Sequence, residues 1–396
     1  MTELVALKSR TGTADENLAS DYIYDYISGL EYFREHPENC GKAALDNDPC
    51  GRHVVYGLVE GNSKKTVIMS GHFDVVDEFD YGEAASLAFS PGKELDDLLR
   101  KNKMTTEQKS DMDSGEWIWG KGAADMKGGL AIHLDILVEF SEKALDGTLP
   151  GSILFIGVPD EESYSCGMRY AVKLIAGMKK ERGLDYRLLI NPEPTDLVDD
   201  KQVMFMGTVG KLMPVVVVQG ITAHVGHCFD GFSPLNILTG IYGRTAGSLA
   251  FVDSYANEAT MPPTWLKLRD LKEVYDVSIP LSAAGYFTVL SLDSTPDMIM
   301  DKLITICREV SEKETVLYEK KYEMYKKLNS FETKSSLGLA PQVYTFSQLR
   351  KLLVETRGDT FAPFYKEIYG EIKEKTESGE LTYPDATIEL IRGVLD

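Results

Sequence analysis

Three short apolar runs, each ending in acidic residues or a histidine, constrain this chain more than any other feature. TVIMS (66–70) leads into GHFDVV (71–76), SILFIGV (152–158) into PDEES (159–163), and YRLLI (186–190) into NPEPT (191–195). Runs that short and that apolar read as strands buried on both faces, the material of a parallel α/β sheet. In open sheets of this class, ligands bind where the carboxyl ends of the strands open into loops. His72, Asp74, Asp160, Glu161, Glu162 and Glu193 are therefore expected at one rim. A lone imidazole among so many carboxylates needs a positive charge between them, and a metal ion supplies it most simply.

The rest of the chain supports alternation of β and α. Residues 17–36 read as a helix, HVVYGLVEG (53–61) as a strand, LAIHLDILVEFSEKAL (130–145) and MRYAVKLIAGMKK (168–180) as helices packed on a sheet. The polar stretch from Asp77 to Glu116 is too long for a simple connection and reads as a surface excursion with a helical piece near 94–102. Past residue 203 the character changes. A long β run (202–220), a helix (234–250), β-like runs (274–278 and 284–291), a long helix (296–328) and a closing strand PQVYTF (341–346) describe an inserted α+β module of ferredoxin-like kind. The expected organisation is a larger α/β domain carrying the rim residues, from 1–206 and 347–396, with the α+β module inserted at 207–346.

At 396 residues the chain is long for a single core, which agrees with two domains. A formal charge of −20 argues against nucleic acid and anionic membranes as partners, since no basic stripe offsets phosphates. The five cysteines are odd in number and form no CxxC pair, so neither a disulfide framework nor a thiolate zinc site is expected. No apolar run reaches signal-peptide or membrane-spanning length, and a cytoplasmic location is expected.

Singly, each cluster has a plain alternative. His72-Phe73-Asp74 places imidazole and carboxylate on one side of an extended segment, which suits a ligand with its orienting partner or a buried histidine satisfied by an aspartate. Asp125, in GKGAAD (120–125), fits neither phosphate-loop template and on its own reads as a helix cap. Asp160-Glu161-Glu162 is either an exposed acidic loop or a division of labour, one glutamate on a metal and its neighbour facing substrate as a base. Glu193, held between two prolines, is a stiffly presented carboxylate or part of a turn. Four such signals in this order at one rim strengthen one another.

Taken together, GHFDVV, WGKGAADMKGG, PDEES and NPEPT resemble the motifs of the M20 family of metallopeptidases and amidohydrolases. Within it, GITAHVGHCFDGFSPLNIL (220–238) and LKEVYDVSIPLSAAGYF (271–287) look most like the arginine-utilisation RocB branch. The resemblance implies a zinc-exopeptidase-like catalytic domain and a cofactor of one or two divalent ions, with zinc expected and cobalt or manganese as alternatives. It implies Asp125 as the bridging ligand, His72 and Glu193 completing one site, and Glu162 on the other. It further implies Glu161 as general base toward metal-activated water, Asp74 in support of His72, and His224 reaching across a lid-mediated homodimer to stabilise the oxyanion. The implied reaction is hydrolysis of an amide or peptide bond in an N-acyl amino acid or short peptide.

Two departures accompany the match. The family's second metal site takes a further histidine near the C-terminus, whereas the histidines here are His36, His53, His72, His133, His224 and His227. A chain shortened at its C-terminus is therefore expected, which leaves open a remnant that binds metal or a small ligand without turnover. YFTVLSLDS (286–294) also lacks the arginine that many relatives direct at a substrate carboxylate. An unrelated nucleotide-binding α/β protein ranks below both readings, because the glycine templates fail.

Overall fold

The computed structural model describes residues 1–102, 104–195, 197–198, 201–328 and 337–395. The chain divides into two compact units, Met1–Val203 and Met204–Asp396.

In the first unit, β1 (Cys40–Ala44), β2 (His53–Val59), β3 (Lys65–His72), β4 (Ser152–Val158) and β5 (Asp185–Ile190) form a sheet in the order β1-β2-β4-β3-β5. Strand β3 runs parallel to both β4 and β5, as expected, but β5 lies at the edge of this sheet with Leu188, Leu189 and Ile190 exposed, so it is not the strand buried on both faces that its apolar run suggests. Strands β2 and β1 extend the sheet with antiparallel pairs. Every residue of β4 is buried, and its two faces divide by period two. Ile153 and Phe155 join a cluster with Ile23, Ile27, Leu130, Leu134 and Leu137. Leu154, Ile156 and Val158 join the opposite cluster with Ala171 and Leu184. Apart from Leu184, which precedes β5, these packing partners come from α2 (Glu16–Ser28), α6 (Gly128–Leu145) and α7 (Cys166–Arg182), the first two against one face and the third against the other. They are accompanied by the short α1 (Thr2–Ala6), α3 (Glu31–Glu35) and α4 (Lys93–Leu99), and by α5 (Thr106–Ser114).

Two local features differ from expectation. The single helix anticipated over 17–36 breaks after Ser28, where Gly29, a poor helix former, is followed by an extended Leu30. Helix α5 was not foreseen, although Thr105 and Gln108 form a capping box whose T-x-x-Q pattern is legible in the sequence.

In the second unit, β11 (Ser282–Ser291) is the central strand. It pairs antiparallel with β10 (Thr264–Asp270) on one edge, and with β6 (Gly210–Leu212) and β7 (Val215–Gln219) on the other. A small ribbon, β8 (Ser254–Tyr255) with β9 (Glu258–Ala259), stands apart from this sheet. Helices α8 (Pro234–Thr245) and α9 (Pro296–Leu328) pack Ile237, Leu238, Ile241, Leu303, Ile306 and Val310 with Val216 and Phe287. After α10 (Phe346–Arg357) and α11 (Phe361–Glu377), α12 (Tyr383–Leu395) buries Ile388 with Leu271 and Ala284. This is the expected α+β composition, with three corrections. The long β run at 202–220 is interrupted at Pro214, which has no amide hydrogen to continue a ladder. Residues 274–278 form no strand; Lys272 donates to the Asp276 and Ser278 carbonyls, and the Asp276 carboxylate accepts the Ser278 amide, folding the segment on itself. The strand proper is Thr264–Asp270. Nor is PQVYTF a closing strand: Thr345 and Gln348 form a capping box, and Phe346 opens α10. Among the described residues no helix is long and apolar enough to cross a membrane.

Candidate metal centre

Strand register alone brings the acidic tips level. His72 pairs with Val158, and Met69 with Ile190, so Glu193 lies three residues past a position three residues before His72. Asp125 arrives by another route. Its residue lies in a tight turn, Ala123–Lys127, just before α6, with extended-side dihedrals and a cis bond to Met126. Asp125 is not a helix cap; its side chain turns to His72 instead.

The imidazole of His72 is 1% exposed, and its hydrogen bonds fix its chemistry. Nδ1 lies 2.9 Å from the backbone carbonyl of Asp74. A carbonyl can only accept, so Nδ1 carries the proton, and in the neutral ring Nε2 presents a lone pair. Around that lone pair stand the carboxylates of Asp125 at 2.9 Å, Glu193 at 3.6 Å and Glu161 at 3.8 Å. All of these are acceptors. Two unit negative charges about 4 Å apart repel by about 4 kcal/mol at an effective dielectric of ~20, so a cation at the centre stabilises the arrangement. In a metal-free chain that cation is a proton: burial disfavours the imidazolium, but Asp125, Asp74 and Glu193 outweigh it and push His72 up to about 12. Asp125 is correspondingly held below the usual carboxylate range by its hydrogen bond from His72.

The donor set also fits a metal. One ligand atom each from His72, Asp125 and Glu193 lie within 4.8 Å of one another. Ligands at about 2.0–2.2 Å from a tetrahedral ion sit roughly 3.3 Å apart, close to the spacing of Nε2 from its two neighbours here. Asn191 donates to Glu193 Oε1 at 3.3 Å and steadies it.

The remaining candidates are placed as follows. Asp74 is fully buried, and its carboxylate turns away from a simple pairing with the ring, which it approaches only to 3.5 Å. It accepts instead from Thr11 Oγ1 at 2.9 Å and from the amides of Glu161 and Glu162 at 3.0 and 3.2 Å, tying the tip of β3 to the turn after β4. Burial and the neighbouring carboxylates raise both Glu161 and Glu162 above their ordinary values, against the opposing pull of His72. Asp160 points away from the rim and is buried against Arg52. His224 belongs to the second unit, where its ring is exposed and Nδ1 accepts the Gly226 amide at 3.1 Å. Thr11, Glu16 and Arg52 carry no local sequence signal for a role here, because the contacts that tie them to the rim (Thr11 to Asp74, Glu16 and Arg52 to Asp160) span tens of residues.

Solved structures share this fold. Human carnosine dipeptidase 1 matches with a TM-score of 0.50 at 15% identity, over 93% of this chain and 81% of that one. The M20 family metallo-carboxypeptidase Sso-CP2 from Sulfolobus solfataricus matches with a TM-score of 0.51 at 14% identity, over 78% of this chain and 75% of that one. The architecture is thus that of the M20 metallopeptidases. The model of Peptidase family M20/M25/M40 matches residues 68–345, well over half of the chain, and the chain belongs to this family. Among curated relatives, Protein RocB of Bacillus subtilis (strain 168) is 34% identical over 88% of this chain and 62% of its own length. The uncharacterized protein YqjN of the same organism is 32% identical over 84% of this chain and 60% of its own. The chain therefore spans about 60% of the length of these two relatives.

Proposed function

We propose that this chain is a metal-dependent hydrolase of the M20 type, acting on an amide or peptide bond of a small amino-acid-derived substrate such as an N-acyl amino acid or short peptide. The observation that carries this reading is the convergence of His72 Nε2 with the carboxylates of Asp125, Glu193 and Glu161. His72, Asp125 and Glu193 would hold the ion, with Glu162 available to a second. One nitrogen and two carboxylate donors suit zinc, with cobalt and manganese as alternatives. A divalent ion in this place supplies Lewis acidity toward water and the scissile carbonyl. Glu161, raised above its ordinary value and turned to the same point, takes a proton from the attacking water and passes it to the leaving amine. Asp74 holds His72 by its carbonyl and the Glu161 amide by its carboxylate. The proposed division of labour is metal binding by the first unit and lid and pairing functions by the second, where His224 would stabilise the oxyanion of a partner copy's site. The family match to residues 68–345 supports this assignment.

The test is hydrolysis of a panel of N-acyl amino acids and dipeptides by the zinc-loaded chain and by Glu161→Gln. Turnover by the former, lost in the variant while zinc is retained, is expected. Zinc retention without turnover by the unmodified chain would move the function to ligand binding. A monomer in sedimentation at assay concentration would remove the role of His224.

A further inference from the structure

Behind the rim lies a buried ionic cluster that the metal chemistry does not use. Arg52, directly before β2, is 7% exposed and uses its entire donor fork. Nη1 donates to Glu16 Oε1 and to Asp160 Oδ1, both at 2.8 Å. Nε and Nη2 donate to Asp48, the latter at 2.7 Å, and Nη2 also meets Cys166 Sγ at 3.3 Å. Glu16 is fully buried, and its Oε2 accepts the Asp160 amide at 2.8 Å. Asp160 Oδ2 accepts the Cys166 amide at 3.0 Å, and its carbonyl accepts Ser165 N at 2.7 Å. Every polar group of Asp160 is thereby fixed. These bonds hold Asp160 at φ +66°, in the left-handed region that is uncommon outside glycine, though aspartate tolerates it better than most residues. That unusual dihedral is what turns the next two amides, Glu161 and Glu162, onto the Asp74 carboxylate.

We propose that Arg52, seated among Glu16, Asp48 and Asp160, is a positioning residue that fixes the left-handed turn presenting Glu161 and Glu162 to the rim. This rests on the assignment of Glu161 as the base. The cluster links the start of α2, the residue before β2, the tip of β4 and the start of α7, so it sets the turn against the sheet and not merely within its own loop. Burying a guanidinium with three carboxylates is a poor route to stability as such, since desolvation offsets most of the attraction. A lysine cannot reproduce the fork, which reaches three carboxylates at once.

Two readouts test this on the zinc-loaded chain. In Arg52→Met, amide hydrogen exchange over 159–166 should rise at least about tenfold, while peptides covering 66–72 and 152–158 keep their protection and zinc stays bound. For any substrate of the panel, kcat should fall on the order of 10- to 100-fold with KM within about twofold. Arg52→Lys should fall between the two, and Glu16→Gln, which preserves shape, should loosen the same peptide less if Arg52→Met does not fold. Unchanged exchange at 159–166, or exchange rising evenly across the whole unit, would overturn the proposal. Absence of turnover in the unmodified chain would defeat the hydrolase assignment alone, because the exchange experiment reads the turn without it.

Discussion

His72 in the first unit and His224 in the second each lie within two residues of a glycine, yet their surroundings differ in kind. His72 is buried, a backbone carbonyl engages its Nδ1, and three carboxylates from other segments face its Nε2. His224 is exposed, and its ring is engaged by the amide of Gly226, two residues on. A histidine acquires metal chemistry from residues far away in sequence that the sheet brings level. Local context alone does not supply it.

The largest effect that would separate the two regions is on catalysis. Glu161→Gln should lower kcat by about 10³-fold with zinc retained, since positioned acid–base groups typically contribute that order. Next, Asp125→Asn should weaken zinc binding by at least about tenfold in equilibrium dialysis, because an amide cannot replace a carboxylate donor, whereas His224→Ala should leave zinc affinity unchanged. Equal loss in both variants would erase the contrast between the units.

A smaller effect concerns stability. His133 on α6 is 2% exposed, its Nδ1 has no hydrogen-bond partner among the described residues, and burial lowers it from 6.5 to about 4. Between those values the unfolded chain binds the proton that the folded chain refuses, so stability should fall as pH drops from 6.5 toward 4. The full loss corresponds to about 3 kcal/mol at ~1.4 kcal/mol per unit. Urea unfolding at pH 7 and pH 4.5 should show a slope that His133→Leu flattens. An unchanged slope would mean that the ring finds a polar partner after all. The smallest effect is at Thr345, whose replacement by alanine removes the capping box of α10 and should cost about 1 kcal/mol in the second unit alone.

Much of the first unit was legible because its strands are short, apolar and followed directly by their functional tips. SILFIGV is the strand Ser152–Val158 to the residue, and Pro296–Leu328 is the long helix anticipated. The second unit was less legible. Its β10, TWLKLRD, is half-exposed and mixes charges with apolar residues, while the more apolar stretch 202–220 is split by Pro214. In the site, His72, Asp125 and Glu193 could be named from motifs, and the structure brings all three together. Asp160 belongs by motif with the rim acids, but its carboxylate faces inward, where it accepts from Arg52 and from the Cys166 amide. Arg52 carries no sequence signal for this role: Asp48 is four residues away, but the partners that link it to the turn, Glu16 and Asp160, lie 36 and 108 residues away.

Zinc stoichiometry by inductively coupled plasma mass spectrometry, on the unmodified chain and on His72→Ala after identical zinc loading and dialysis, tests the central claim most directly. A convergent cation site predicts at least one zinc per unmodified chain and loss of that ion in the variant. Equal zinc content in the two proteins, or none in either, would contradict it.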